Sequence, residues 1–239
     1  MMKREQGSLG TEDGAPRFRT ERELQSALSK RNILSDDRFK VTAVRREFPM
    51  GGCVPDLVYV RFAERPPTHL WPDRWSFLHA SIVWLLRQRR YLRARTLLTL
   101  AYDSPTRIEE VLYDLLDSGA VRELRSGAYA LTDELASMRA EVVAVEAKMR
   151  DWKQALQQAN AYQRFADRVS VVLDWTMAPR DKETIEVFRR SRTGLARLRP
   201  GSLDWIVVPA SRSIPNGVER EYVITTAAIP SPYTLWAFR

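Results

Sequence analysis

The chain has 239 residues, 44% of them hydrophobic and 28% charged, which favours a packed fold and excludes a largely disordered chain. Its formal net charge of +8 favours polyanions, with nucleic acid as the expected partner. A single cysteine, Cys53, excludes an intramolecular disulfide, and the apolar runs are too short to cross a bilayer, so we expect a cytoplasmic protein that binds no membrane.

The first part of the chain predicts a polar tail, a helix and a β-hairpin. Residues 1–17 are largely polar, and we expect them to form a flexible tail. From the capping residue Thr20 onward, Leu24 and Leu28 recur at helical spacing and predict an amphipathic helix. Two stretches rich in β-branched and aromatic residues follow, FKVTAVRREF and CVPDLVYVRF, and the Pro-Met-Gly-Gly segment between them predicts a hairpin.

Residues 75–135 are expected to form an inserted module, because a cluster of prolines from Pro66 to Pro72 marks a boundary before them. Three helical patterns come first: FLHASIVWLLRQ, YLRARTLLTLAY and SPTRIEEVLYDLLDSG. In the third, Ser104 is suited to cap the helix and Gly119 to end it. Two short strands around Gly127 then predict a second hairpin.

After the module, the sequence predicts alternating strands and helices. The stretch AEVVAVEAKMR predicts a strand, DWKQALQQANAYQRFADR a helix, and VSVVLDW a strand buried on both faces. ETIEVFRRSRTGLARL predicts a helix, and LDWIVVPA and EYVITTAAI predict two further strands. Residues 18–70 and 137–239 together therefore predict an α/β core with a mixed central sheet flanked by helices.

Candidate catalytic residues lie in two of the predicted strands. Glu146 and Lys148 are two positions apart, so their side chains share one face of the strand. A carboxylate and an ammonium inside an apolar strand are costly to bury unless a function or a partner holds them. The alternative is a water-facing salt bridge on an edge strand. Asp56 begins another apolar strand, and carboxylates from two strands suit Mg²⁺, which prefers oxygen ligands.

Together, Pro55-Asp56 and Glu146-Ala147-Lys148 resemble the signature of the PD-(D/E)xK nuclease superfamily, to which many restriction, repair and recombination nucleases belong. The order of a helix, a hairpin, the strand with the ExK triplet, a helix and an apolar strand is similar to that family's core. The resemblance implies a restriction-endonuclease-like fold and hydrolysis of phosphodiester bonds in DNA with Mg²⁺ or Mn²⁺. It implies that Asp56, Glu146 and the carbonyl of Ala147 hold the metal, and that Lys148 orients or deprotonates water.

Other residues of the expected site come from the neighbouring elements. Gln158 and Tyr162 have the Q-x-x-x-Y spacing of the RecB-like branch, in which this helix face lies beside the metal site and contacts DNA. An ordinary polar helix face is the alternative. Glu47 is our preferred auxiliary ligand or water-holder, against the alternative of a surface charge, and Glu23 is the candidate from the first helix.

The sequence departs from the family pattern in one respect. Asp56 and Glu146 are 90 positions apart, whereas the two motifs usually stand within a few tens of residues. The inserted module must account for this gap, and a folded module is tolerated where its two ends lie close together.

The run IEEVLYDLLDSGAVRELRSGAYALT resembles bacterial winged helix-turn-helix domains. Its helix has acidic residues at exposed positions, so we expect the module either to contact DNA through arginines elsewhere or to bind a protein through this helix. A DNA-cleaving chain with one active centre also needs a second copy or a partner to cut both strands. The candidate contacts to nucleic acid are Arg87, Arg89, Arg90, Arg93, Arg95, Arg122, Arg125, Arg189, Arg190 and Arg192.

The function expected from these resemblances is that of a DNA endonuclease, such as the cleaving component of a mobile-element, restriction or defence system. The alternative is a catalytically silent protein on the same fold that binds DNA or supports an assembly.

Overall fold

The computed structural model describes residues 18–31, 33–34, 36–72, 74–211, 217–229, 231 and 234–238, so the tail expected for residues 1–17 lies outside the described residues. The α-helices are α1 (Glu21–Ser29), α2 (Phe77–Arg89), α3 (Ala94–Leu100), α4 (Pro105–Asp117), α5 (Asp133–Ser137), α6 (Trp152–Ala161), α7 (Lys182–Ser191) and α8 (Val218–Ala228). The strands are β1 (Val41–Arg46), β2 (Leu57–Phe62), β3 (Leu92–Arg93), β4 (Val121–Glu123), β5 (Ala128–Leu131), β6 (Ala140–Lys148), β7 (Arg168–Asp174), β8 (Gly194–Arg199), β9 (Ser202–Val207) and β10 (Leu235–Phe238).

A mixed sheet of seven strands lies at the centre of the described chain, in the order β10-β1-β2-β6-β7-β8-β9. Strands β6, β7 and β8 run parallel, and the other neighbouring pairs are antiparallel. Helices α6 and α7 make the crossovers between the parallel strands, as such strands require. The prediction of an α/β fold with a mixed sheet flanked by helices is confirmed.

Helices cover both faces of this sheet. On one face, Leu24 and Leu28 of α1 pack in a core with Val143 of β6. On the other face, a larger core joins Val142 of β6 to apolar residues of α2, α6 and α8. Strand β6 is therefore buried on both faces, which explains its nearly continuous run of apolar residues.

The chain between β2 and β6 forms α2, α3 and α4 with a small sheet in the order β3-β5-β4. Gly119 after α4 and Gly127 in the β4–β5 turn both have positive φ, as expected of a helix end and a tight turn. Apolar residues of this segment belong to the same core as the main sheet, and α2 packs against α8. Arg87 of α2 strengthens this contact, because its Nε and Nη2 each lie 3.1 Å from a carboxylate oxygen of Glu221 in α8.

Three predictions of secondary structure were wrong. The stretch 221–229 was expected to form a strand because of its β-branched residues, but residues 221–228 belong to helix α8, since packing against α2 and the sheet outweighs the local preference. The helix predicted over 183–198 ends at Ser191, where Arg192 adopts a left-handed backbone with φ 57°, and β8 follows. The helical pattern from Tyr91 begins with the short strand β3 before α3.

Among the described residues, no helix has both the length and the apolar character that a membrane crossing requires.

Candidate functional site

Asp56 and Glu146 lie beside each other because β2 and β6 are neighbours in the sheet. The antiparallel register pairs Leu57 with Val145, so Asp56, one residue before β2, lies opposite Glu146. The backbone amide of Ala147 donates a hydrogen bond to Asp56 Oδ2 at 2.7 Å. The fold thus joins two carboxylates that the sequence separates by 90 positions.

Glu146 and Lys148 both face the layer that contains α6. Alternation along β6 gives Val142 to the core on that side and Val143 to the core of α1, so Glu146 and Lys148 share the face of Val142. The Glu146 side chain is almost completely buried, at 1% exposure. Lys148 Nζ lies 2.9 Å from Glu146 Oε1, which gives the buried carboxylate a cationic partner.

Tyr162 supplies the second contact to Glu146. It lies at the C-terminal end of α6, which runs back along the sheet after β6, and helical side chains tilt toward the N-terminus of their helix. Its hydroxyl therefore reaches toward the carboxyl end of β6 and donates to Glu146 Oε2 at 2.5 Å. Gln158, one turn earlier on α6, is exposed to solvent.

Sequence reasoning missed a third acidic residue at this site, Glu21 at the start of α1. Glu21 Oε2 lies 3.7 Å from Lys148 Nζ, and its Oε1 accepts a hydrogen bond from the amide of Met149 at 3.4 Å. The helical candidate, Glu23, instead accepts a bond from the amide of Arg19 and stabilises the start of its own helix. A signal was available, because Glu21 shares the helix face of the buried Leu24 and Leu28, which points toward the sheet.

Glu47 lies in the turn between β1 and β2, where its backbone has a positive φ of 47° and its side chain is exposed. The contact that ties Glu47 to the site is through its backbone, because its amide donates to the carbonyl of Asp56 at 3.0 Å. Cys53 is nearby in the same turn, where its thiol lies 3.0 Å from the carbonyl of Met50. Burial raises the pKa of that thiol, which disfavours the reactive thiolate.

The charges at the site are unbalanced, with three carboxylates around one ammonium. Burial, and then the negative charge of Glu146, raise the pKa of Asp56 to about 6. Burial on its own lowers the pKa of Lys148, but the hydrogen bond and charge of Glu146 outweigh it, and the pKa lies above its ordinary value. Lys148 is therefore a protonated cation at neutral pH, and the carboxylates still carry an excess of negative charge.

The donor set fits a hard divalent cation. Asp56 and Glu146 offer carboxylate oxygens from adjacent strands, and Mg²⁺ commonly uses one or two carboxylates and keeps water for the rest of its shell. Across the described ranges, no group of three or more His, Cys, Asp or Glu side chains is arranged to hold a metal. A cation here would therefore depend on two carboxylates, with backbone oxygen and water as further ligands.

No family model, curated protein or solved structure matches this chain. The function must therefore be inferred from the site itself.

The arginines proposed to contact nucleic acid fall into two groups. The first is exposed on the segment between β2 and β6 and comprises Arg89, Arg90, Arg93, Arg95, Arg122 and Arg125. Within it, Arg122 makes an exposed ion pair with Asp133 at 2.9 Å. Arg87 differs, because it is bound to Glu221 and donates to the carbonyl of Leu135 at 3.0 Å, which gives it a structural role.

The second group follows β7. Arg189 and Arg190 on α7 are exposed and both lie within ion-pair distance of Glu186. Arg192 Nη2 donates to the carbonyl of Ser211 at 3.0 Å. Pairing with Glu186 lowers the net charge that α7 presents to a phosphate.

Helix α4 presents an acidic surface. Its apolar residues, among them Ile108 and Leu115, are buried, whereas Glu109, Glu110 and Asp117 are exposed. Phosphate groups would be repelled by this face, so any contact of the segment with nucleic acid must come from its arginines.

Proposed function

We propose that this protein is a metal-dependent nuclease of the PD-(D/E)xK type that hydrolyses phosphodiester bonds in DNA, with a restriction-endonuclease-like core and an inserted winged-helix module. The observation that carries the proposal is the convergence of Asp56, Glu146 and Lys148 on one face of adjacent strands. A structural ion pair between Glu146 and Lys148 needs no second, half-buried carboxylate. Asp56 beside Glu146 is unfavourable without a cation, since like charges at short range disfavour ionisation.

In this proposal, Asp56, Glu146 and the carbonyl of Ala147 hold Mg²⁺ or Mn²⁺. A metal held there would lower the pKa of bound water and offset negative charge on the phosphate. Lys148, already protonated, orients the attacking water and stabilises the added negative charge. Tyr162 fixes the carboxylate of Glu146 by its hydrogen bond, and Glu21 restrains the ammonium of Lys148.

The inserted segment supports the proposal through its topology. Its elements follow the order helix, strand, helix, helix, strand, strand, which is the order of a winged helix. The acidic face of α4 favours contact with DNA through the arginines around it, or contact with a protein, over insertion of this helix into the major groove. One catalytic centre per chain implies that cutting both strands of a duplex requires a second copy or a partner subunit.

The discriminating experiment is cleavage of supercoiled plasmid and end-labelled oligonucleotides with Mg²⁺ or Mn²⁺. We expect the parent chain to cut, and Asp56→Asn, Glu146→Gln and Lys148→Met each to lower the rate by about 10²–10⁴-fold. Glu23→Gln is a matched control, because it neutralises an exposed carboxylate of α1 that contacts Arg19 rather than Lys148.

Equal cleavage by all of these variants would indicate a contaminant and would overturn the proposal. Binding of DNA without cleavage under every metal tried would favour the alternative of a catalytically silent DNA-binding or assembly protein. Loss of cleavage in Glu47→Gln, with stability unchanged, would add Glu47 as an auxiliary group.

A further inference from the structure

A row of paired residues crosses the three parallel strands beside the candidate site. Lys148 of β6 pairs with Leu173 of β7, and Leu173 pairs with Arg197 of β8. Directly paired residues lie on the same face of a sheet, so Arg197 shares the face of Lys148. Two strand spacings separate them, which is about 10 Å. In open α/β sheets, ligands bind in the crevice outside the carboxyl ends of the parallel strands, which is where this row ends.

Arg197 and Arg199 pack against the indole of Trp175, the first residue after β7. The guanidinium carbon of Arg197 lies 3.7 Å from the ring centroid, and that of Arg199 lies 4.6 Å from it. Such packing uses the flat face of a guanidinium and leaves the N–H groups at its edge available to oxygen acceptors. The indole therefore holds two cationic side chains in a fixed orientation before any ligand arrives.

The positive charges of Arg197 and Arg199 are only partly neutralised by neighbouring carboxylates. Arg197 Nε lies 3.7 Å from Asp204 Oδ2. Arg199 is exposed, and its Nε donates to Ser202 Oγ at 2.7 Å. At the neighbouring β8–β9 turn, Arg31 Nη1 donates to the carbonyl of Gly201 at 3.2 Å. In the described part of the chain, Asp204 pairs with Arg197, whereas the contact that holds Arg199 is the neutral hydroxyl of Ser202.

We propose that Trp175, Arg197 and Arg199 form a phosphate-binding subsite for the nucleic-acid backbone that occupies the catalytic centre. The inference rests on the proposed nuclease function and adds where the substrate runs. Arginine binds phosphate through two parallel N–H donors, and both arginines have their planes fixed by Trp175. Since Arg197 lies about 10 Å from Lys148, the subsite contacts a phosphate other than the scissile one.

The basic residues of α7 do not have this arrangement. Arg189 and Arg190 share a carboxylate partner in Glu186. Neither makes a cation–π contact within the described residues. They provide a matched control, because removing both changes the net charge by the same amount as removing Arg197 and Arg199.

The test is binding of a fluorescein-labelled oligonucleotide, single-stranded and duplex, measured by anisotropy in EDTA across a series of KCl concentrations. We expect Arg197→Ala/Arg199→Ala to weaken binding roughly tenfold and to reduce the slope of log K against log salt by about 2. Arg189→Ala/Arg190→Ala should change both quantities much less. Arg197→Lys/Arg199→Lys should restore the slope but only part of the affinity, because lysine keeps the charge and loses the flat donor edge. Thermal unfolding of each variant verifies that it is folded.

Unchanged binding in the alanine pair, or an equal loss in the α7 control, would overturn the subsite. Full recovery of affinity in the lysine pair would also overturn it, since charge alone would then suffice. Because EDTA prevents metal-dependent cleavage, binding is measured independently of cleavage, and the nuclease function and the phosphate subsite are tested separately. A chain that binds through these arginines but cuts nothing overturns the nuclease, whereas a chain that cuts through Glu146 and binds equally well without them overturns only the subsite.

Discussion

The two ends of β6 each carry a buried glutamate, and their surroundings differ. Near the amino end, Glu141 Oε2 lies 2.6 Å from Arg61 Nη1, and its Oε1 lies 2.8 Å from Arg168 Nε. Near the carboxyl end, Glu146 has one cation, Lys148, and a second carboxylate beside it. Glu141 is thus held by two cations, whereas Glu146 shares its one cation with a second carboxylate, an arrangement that is enriched at functional sites.

Neighbouring contacts extend the difference. Beside Glu141, Asp167 is held by Arg220 at 2.9 Å and also accepts a hydrogen bond from the amide of Val142 at 2.8 Å. The site around Glu146 also contains the hydroxyl of Tyr162 and the carboxylate of Glu21, and neither adds a positive charge. The ion pairs at the amino end of β6 therefore stabilise the fold. At the carboxyl end, the repulsion between neighbouring carboxylates destabilises it.

The largest expected effect comes from removing the charge of Glu141 near the amino end of β6. Glu141→Gln leaves the buried Arg61 and the partly buried Arg168 without their anion, which should lower the free energy of unfolding by about 3–5 kcal/mol. Urea denaturation of the parent and the variant measures this difference. Glu23→Gln, an exposed change, should stay within about 0.5 kcal/mol of the parent. Equal stability of Glu141→Gln and the parent would show that the two ends of β6 do not differ in this way.

The pH dependence of stability tests the repulsion between Asp56 and Glu146 at the carboxyl end of β6. Because the folded pKa of Asp56 is about 6, above the ordinary 3.8, the folded chain takes up this proton at a higher pH than the unfolded chain. The resulting stabilisation is complete below pH 3.8 and is lost as the pH rises through about 6. Relative to Asp56→Asn, the parent should therefore lose about 2–3 kcal/mol of stability between about pH 4 and about pH 7. If the difference in unfolding free energy between the parent and Asp56→Asn stays constant with pH, ionisation of Asp56 is not disfavoured in the folded chain.

Removal of one hydroxyl tests how Glu146 is held. Tyr162→Phe deletes the donor to Glu146 Oε2, which leaves a buried carboxylate with an unsatisfied oxygen and should cost about 1–3 kcal/mol of unfolding free energy. Tyr59→Phe is a suitable comparison, since that hydroxyl donates to a neutral acceptor, the carbonyl of Leu28. A larger loss in Tyr59→Phe than in Tyr162→Phe would count against a charged acceptor at Glu146.

The smallest effect is stabilisation by metal. Free Mg²⁺ at about ten times its dissociation constant should raise the free energy of unfolding by about 1.4 kcal/mol in the parent. Asp56→Asn and Glu146→Gln should lose this gain, which thermal unfolding with and without Mg²⁺ measures. An equal gain in all three proteins would place the cation elsewhere.

The sequence predicts the central strands and the shared face of Glu146 and Lys148 well because both depend on short-range pattern. Alternation puts Glu146 and Lys148 on one face whatever the partners of β6 are, and the apolar run makes β6 a central strand. The spatial closeness of Asp56 depends instead on which strand lies beside β6. The sequence alone could only propose that pairing through a family resemblance.

The errors arise where tertiary contacts override local preference. The β-branched residues from Val223 to Thr226 favour a strand, but α8 is buried between the sheet and α2 and is helical there. Helix α7 ends at Ser191 because Arg192 has a positive φ, a conformation for which arginine gives no signal, so Arg197 was expected on a helix. Its register with Lys148 could be recognised only from the sheet.

The insertion point has a consequence for protein engineering. The chain leaves the sheet at Phe62 and returns at Ala140, directly opposite it in the register. A short turn could therefore rejoin β2 to β6 without moving Asp56 away from Glu146. Such a minimised chain would expose the apolar surface of α8 that α2 now covers, so it would need polar substitutions there to stay monodisperse.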